Sequence, residues 1–221
     1  MGADCELMRL KGFSWFIFSQ FRKVTEYIPV TQPSIGVLTG QHRDLWAKDY
    51  QNLVETHHDN IETFKWIQSA LFFVCLDHLP IAKDLVSQAR KFMETYIGNV
   101  FHGNDAHNRW FDKSLSIIVT NDGRLGVNGE HSPCDALVPA FLVDYSVLNE
   151  PAKDPTGTDT GVDADVIPFV HLQWNISGSI KKSIIDAQLY VDKTIADSDI
   201  DLMHYNLFGS DFIKSTCIVL V

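Results

Sequence analysis

The stretch that most restricts the fold runs from Ser114 to Glu130. Its first half, Ser114-Leu115-Ser116-Ile117-Ile118-Val119-Thr120, is rich in β-branched residues that suit a pleated, half-buried surface. Asn121-Asp122-Gly123 follows, and these residue types tolerate the positive φ of a tight hairpin turn. Arg124 to Glu130 then returns as the partner strand. A hairpin of this kind imposes an antiparallel pair. Elsewhere strand-like and helical segments alternate, which favours parallel strands joined by helical crossovers. The expected fold class is therefore α/β, with a mixed sheet flanked by helices.

Ser34 to Gly40, behind Pro33, reads as a short strand. His42 to Thr56 carries Leu45, Trp46, Tyr50 and Leu53 at helical spacing, and Ile61 to Ala70 continues as helix. Leu71 to Leu76 is an apolar run closed by Asp77, a buried-strand pattern. Pro80 suits the first turn of a helix. Ile81, Leu85, Ala89, Phe92 and Tyr96 then form one stripe, and Gly98 reads as its stop. Pro133 to Asn149 reads as a helix packed on Ala136, Leu137, Ala140, Phe141 and Val143. Residues 150–165 form an acidic loop rich in Pro, Gly and Thr. Val166 to Trp174 is strand-like. Ile180, Ile184, Ala187, Val191 and Ile195 mark a long helix, capped by Ser177 or Ser179. Leu202 to Phe208 reads as a last strand.

Composition narrows the function classes. The 221 residues are 45% hydrophobic and 21% charged, an ordinary globular balance. The formal net charge is −10 and no basic stripe interrupts it, which excludes nucleic acid as an expected partner. The apolar run Phe13 to Phe18 falls short of the ~20 residues a membrane span needs. It reads as a buried amphipathic helix within residues 1–32, so no transmembrane segment is expected. Cys5, Cys75, Cys134 and Cys217 form no CxxC pair, which points to free thiols and a reducing compartment. The sequon Asn175-Ile176-Ser177 then reads as chance.

The chemistry-bearing stretch is Gly129-Glu130-His131-Ser132-Pro133-Cys134-Asp135-Ala136, at the junction of the hairpin and the helix after it. Histidine titrates near neutrality. Asp135, four residues on, is placed to bond one imidazole nitrogen and leave the other as a proton acceptor, the arrangement of an oriented base. Spacing alone favours a purely structural contact, because most His/Asp neighbours are not catalytic. Cys134 beside the imidazole invites a thiol nucleophile, but helical geometry turns the two side chains apart. His102-Gly103-Asn104-Asp105 with His107 lacks a fixed ligand spacing and reads as a structural loop, so no metal is expected. His57-His58-Asp59 reads as a solvated helix terminus.

Taken in order, four segments resemble the choline/carnitine O-acyltransferase family. They are Ile35-Gly36-Val37-Leu38-Thr39 with His42-Arg43-Asp44-Leu45-Trp46-Ala47-Lys48, then Val74-Cys75-Leu76-Asp77, then Asn108-Arg109-Trp110-Phe111-Asp112-Lys113 leading to His131-Ser132-Pro133-Cys134-Asp135-Ala136, and finally Phe208-Gly209-Ser210-Asp211-Phe212-Ile213-Lys214. The resemblance covers residues 33–214. It implies a lobe of the chloramphenicol-acetyltransferase type, and acyl transfer between coenzyme A and the hydroxyl of carnitine or a choline-like alcohol. By the same resemblance His131 is the general base, Asp135 orients it, and Lys214 is the first of the basic residues that approach coenzyme A. Small molecules (acyl-coenzyme A and carnitine) are the implied partners. The implied location is intracellular, in peroxisome, mitochondrion or cytosol.

The sequence departs from the family pattern after Lys214. Ser215-Thr216-Cys217-Ile218-Val219 stands where the family has a second basic residue and Ser-Pro-Asp. Residues 1–32 and 215–221 are expected to lie outside the family domain. The second lobe that completes the family's active site is not in these 221 residues. The expectation is a partial lobe that is catalytically silent alone, with a binding or structural module as the alternative reading.

Overall fold

Where the apolar side chains of the first described turn go decides where the core lies. In the computed structural model, residues 34–77, 89–103, 106–120, 124–133, 135–148, 171–201, 203, 205 and 207–215 are described. A 3-10 helix at Ile35–Gly40 comes first. It is followed by α1 (Arg43–Thr56), α2 (His58–Ser69), β1 (Phe73–Asp77), α3 (Ala89–His102), β2 (Leu115–Thr120), β3 (Leu125–Gly129), α4 (Leu137–Leu148), α5 (Gly178–Ala196) and α6 (Ser210–Ser215).

The strand expected over 34–40 is thus a 3-10 helix. Ile35, Val37, Leu38 and Thr39 are all buried, and a run buried on every side carries no period to separate strand from helix. Ile35, Val37 and Leu38 join Trp46 and Leu53 of α1, Phe64 of α2 and Ile180, Ile184, Ala187 and Val191 of α5 in one cluster. The stripe expected on α5 is therefore its buried face. Ser177 is its cap, accepting from the Ile180 N–H at 3.3 Å. Gly36 is required here because a Cβ at that position would sit 2.2 Å from the Arg109 carbonyl oxygen. Trp46, Tyr50, Phe64, Trp110 and Trp174 extend the cluster through edge and stacked contacts at centroid distances of 4.4–6.3 Å.

The sheet is mixed, as the hairpin demands. Strand order is β1-β2-β3, with β1 parallel to β2 and β2 antiparallel to β3. Crossover helix α3 lies against β3. A Cβ on Gly126 would meet the Val100 Cγ2 at 2.4 Å, and the Tyr96 hydroxyl donates to the Leu125 carbonyl at 2.6 Å. Register places Ser116 opposite Asn128 and Ile118 opposite Gly126. Ser116, Ile118 and Thr120 are the buried residues of β2. Cys75, in the middle of β1, is a buried free thiol, and that burial pushes its pKa up.

Several expectations change. Leu45 is exposed, and α1 instead buries Trp46, Asp49 and Leu53. Asp49 is buried because its carboxylate accepts from the Gln41 amide at 2.6 Å. Gly98 does not stop α3, which runs on to His102. The helix expected from Pro133 begins at Leu137, and its Leu137 and Phe141 are exposed rather than packed. Residues 171–177 form no strand. The described residues of 202–208 are irregular, with Met203, Tyr205, Leu207 and Phe208 exposed. Pro80, the turn 121–123, the acidic loop 150–165, residues 1–32, and Cys5, Cys134 and Cys217 lie outside the described residues.

The close approach at Gly36 yields a test. Gly36→Ala forces backbone apart at the centre of the main cluster and should cost about 1–3 kcal/mol, the range for overpacked cores. A lowered urea midpoint at unchanged slope is the expected result, while Gly178→Ala, with open space around it, leaves the midpoint within experimental scatter or raises it.

Candidate active site

His131 stands two residues beyond the end of β3, in a turn between the sheet and α4. Local bonds fix that turn. The Glu130 carboxylate accepts from the Ser132 backbone N–H at 3.0 Å and from the Ser132 hydroxyl at 2.8 Å. Further along, the Asp135 carboxylate accepts from the Ala136 N–H at 2.7 Å, and the Asp135 carbonyl accepts from the Val138 N–H at 2.9 Å. Asp135 therefore stands just ahead of α4, not inside its first turn. It still faces the imidazole, with Nε2 of His131 3.5 Å from Oδ1. That is an ion-pair distance, longer than a good N–H···O bond. Both side chains are open to solvent, 80% and 72% exposed.

Two concavities meet at His131. One, of about 480 Å³, lies between β3 and α4 and is walled by Val127, Ala136, Pro139, Ala140 and Val143, with Glu130 and Asp144 at its polar edge. The other, of about 300 Å³, lies between the end of α3 and the sheet. Its wall combines Phe101, Trp110 and Phe111 with Arg109, Lys113, Ser116, Asn128 and Glu130. The imidazole is thus directed into open space on both sides, not into packed hydrocarbon.

The second cavity owes its shape to a buried ion pair that the spacing of the sequence does not reveal. Arg109 holds Asp77 with both arms, Nη1 to Oδ1 at 3.0 Å and Nη2 to Oδ2 at 2.7 Å. The two side chains are 1% and 6% exposed. Asn108 and Asn99 also donate to the carboxylate, at 2.7 and 2.9 Å, and the guanidinium further donates to the Asn99, Val100 and Asn108 carbonyls. Burial by itself would raise the Asp77 pKa, but donation from Arg109, Asn108 and Asn99 outweighs it and holds the pKa below the ordinary value. The His102-Gly103 loop wraps this pair: Gly103 has φ +63°, and a Cβ there would lie 3.1 Å from the guanidinium carbon.

The four residues after Arg109 reach four different places. Trp110 stacks with Trp174, and the Phe111 N–H donates to the Thr39 hydroxyl at 2.9 Å. Asp112 accepts from the Trp46 indole and from Arg43, both at 2.5 Å. Lys113 donates to the Ala70 carbonyl at 2.6 Å, and burial lowers its pKa. His57 is more than a solvated terminus, since its Nδ1 accepts from the Asp59 N–H at 3.2 Å and caps α2. Lys214 projects from α6 into solvent and lines neither cavity at His131. Among the described residues no group of three or more His, Cys, Asp or Glu side chains could hold a metal ion, and no helix is long and apolar enough to cross a membrane.

The depressed Asp77 pKa predicts an acid limb. Its stabilisation is complete above the unfolded carboxylate range near ~3.9 and is lost as pH falls through the lower folded value. Removing one partner, as in Asp77→Asn, should cost about 3–5 kcal/mol because it strands a buried guanidinium. Urea unfolding across pH checks both, since stability lost between that range and lower pH in the native chain should shrink in the variant.

Comparison with known proteins places the chain in one family. The family model described as choline/carnitine O-acyltransferase matches residues 16–219. Carnitine O-acetyltransferase of Mus musculus is 33% identical over 208 residues, covering 90% of this chain and 31% of the mouse protein. The mitochondrial carnitine O-palmitoyltransferase 2 of Rattus norvegicus is 31% identical over 193 residues, covering 84% of this chain and 27% of the rat protein. Carnitine O-acetyltransferase of Columba livia is 29% identical over 204 residues. The chain spans about a third or less of the length of these relatives.

Proposed function

The chain belongs to the choline/carnitine O-acyltransferase family, and from that membership we propose that it supplies the general-base lobe of a coenzyme A-dependent O-acyltransferase. In this reading the ring nitrogen of His131 turned away from Asp135 takes the proton from an alcohol hydroxyl, that of carnitine or a choline-like molecule. The alcohol oxygen attacks the acyl-coenzyme A carbonyl, the C–S bond breaks, and His131 returns the proton to the thiolate of coenzyme A. In the reverse direction it deprotonates the thiol. Asp135 orients the ring and balances its charge when protonated. The observation that carries the reading is the open His131–Asp135 pair where two cavities meet. Coenzyme A and an alcohol enter as substrates. An intracellular compartment, mitochondrial in the name of the rat relative, is part of the proposal.

A second element of the proposal is that this lobe does not turn over alone. The imidazole is open to water on most of its surface, and a water-filled site stabilises a developing oxyanion poorly. Beside it α4 exposes Leu137, Val138, Phe141, Leu142, Tyr145 and Leu148, an apolar face that marks an interaction surface. Lys214 remains a proposed contact to coenzyme A, on its place after Phe208-Gly209-Ser210-Asp211. The alternative, a silent binding or structural module, rests on the same exposed face.

Free-thiol release from acetyl-coenzyme A, with and without L-carnitine, tests both elements. The 221-residue chain alone should release none above buffer. Joined to the remainder of the mouse acetyltransferase, it should show carnitine-dependent release that His131→Ala reduces roughly 10²–10⁴-fold. Carnitine-dependent release by the chain alone would overturn the need for a second lobe. Release by the joined protein that survives His131→Ala would overturn the base assignment.

A further inference from the structure

Ser116 is 5% exposed, sits at the start of the central strand, and lines the 300 Å³ cavity that it shares with His131. Its register partner Asn128 lines the same cavity, so both side chains stand on the α3 side of the sheet. Although Ser116 is buried, its hydroxyl oxygen is not sealed off and opens into that cavity. Among the described residues the Ser116 hydroxyl has no hydrogen-bond partner. The neighbouring donors of the cavity are engaged. Arg109 holds Asp77 and backbone carbonyls. Lys113 donates to the Ala70 and Gln68 carbonyls, and the Asn128 amide donates to the Phe101 carbonyl at 3.1 Å. The Glu130 carboxylate is taken by Ser132.

We infer that Ser116 is a substrate-positioning residue, whose hydroxyl donates to a carbonyl or carboxylate oxygen of the molecule held against His131. This rests on the reading of His131 as the base, and adds the group that fixes the substrate's second polar atom. The aromatic wall of Phe101, Trp110 and Phe111 supplies contact area, and a single convergent donor supplies orientation, the usual division of labour in a small-molecule site. No fold requirement explains a hydroxyl there. Alanine would fill the same strand position equally well.

The test uses the 221-residue chain, Ser116→Ala, and Ser116→Thr, which keeps the hydroxyl. Thermal unfolding separates a structural role from a positioning one. Ser116→Ala should leave the midpoint unchanged or raise it, because a hydroxyl without a protein partner contributes nothing to lose; a clear drop would overturn the inference. Each protein is then titrated separately with L-carnitine and with coenzyme A, followed by NMR of the His131 ring and the strand amides. Expected is a saturable shift at His131 with one of the two probes, weakened about 5–10-fold in Ser116→Ala and retained in Ser116→Thr. A His131 shift of equal affinity in all three proteins overturns the role of Ser116 and leaves that of His131 standing. Absence of any shift at His131 with either probe overturns both.

Discussion

Asp77 and Arg109 hold the molecule in register. Two charges removed from water are costly, and a bidentate pair offsets that cost only when the remaining donors and acceptors are also matched. Here they are: the carboxylate takes two asparagine amides besides the guanidinium, and the guanidinium takes three backbone carbonyls. Those partners come from the end of β1, the last turns of α3, and the segment entering β2. The pair therefore joins the crossover at both of its ends. With Arg109 fixed, the next four residues are aimed outward like spokes, to Trp174, Thr39, Trp46 with Arg43, and the end of α2. One segment thus ties the sheet to the helical cluster and at the same time forms the floor of the cavity beside His131.

This arrangement explains why so little of the support around His131 is readable from the sequence. Helices α1, α2 and α5 announce themselves because each has one apolar face, and period 3.6 survives in the sequence. The hairpin is legible because β-branched residues flank an Asn-Asp-Gly turn. His131 and Asp135 are four residues apart, so their proximity is a local property. Asp77 and Arg109 are separated by a whole helix, and nothing in their spacing pairs them. The available signal is chemical: an acid closing an apolar strand, and an arginine amid aromatics, each need a partner if buried. The 3-10 helix at Ile35–Gly40 was illegible for a different reason. Apolar side chains buried on all sides erase the period, and Gly36 is there for a backbone contact with a residue far along the chain.

Helix α4 was misread for the opposite cause. Its sequence is so uniformly apolar that a face can be drawn in any direction, and packing was expected on Leu137 and Phe141. Both are exposed, and the side turned to the 480 Å³ cavity is Pro139, Ala140 and Val143. The last strand expected over 202–208 fails similarly. Its described apolar residues meet no neighbouring strand in the described chain, and a strand without a ladder partner leaves its backbone groups to solvent.

The imidazole and the helix beside it pose separate constraints. An exposed ion pair such as His131–Asp135 contributes little to stability, so the geometry of the corner comes from its backbone turn and from the Glu130–Ser132 and Asp135–Ala136 bonds. An imidazole held that way has a fixed place but is 80% exposed. Charge developing in its cavity would be screened by water, and the electrostatic gain of a preorganised site falls with that screening. Helix α4 turns Pro139, Ala140 and Val143 to the cavity it shares with His131, and Leu137, Phe141 and Leu148 away from it. Covering those exposed side chains and drying the imidazole are then separate requirements. A surface that meets both has to wrap around α4, and the hydrophobic gain on the far side of the helix can offset the desolvation of the groups around the imidazole.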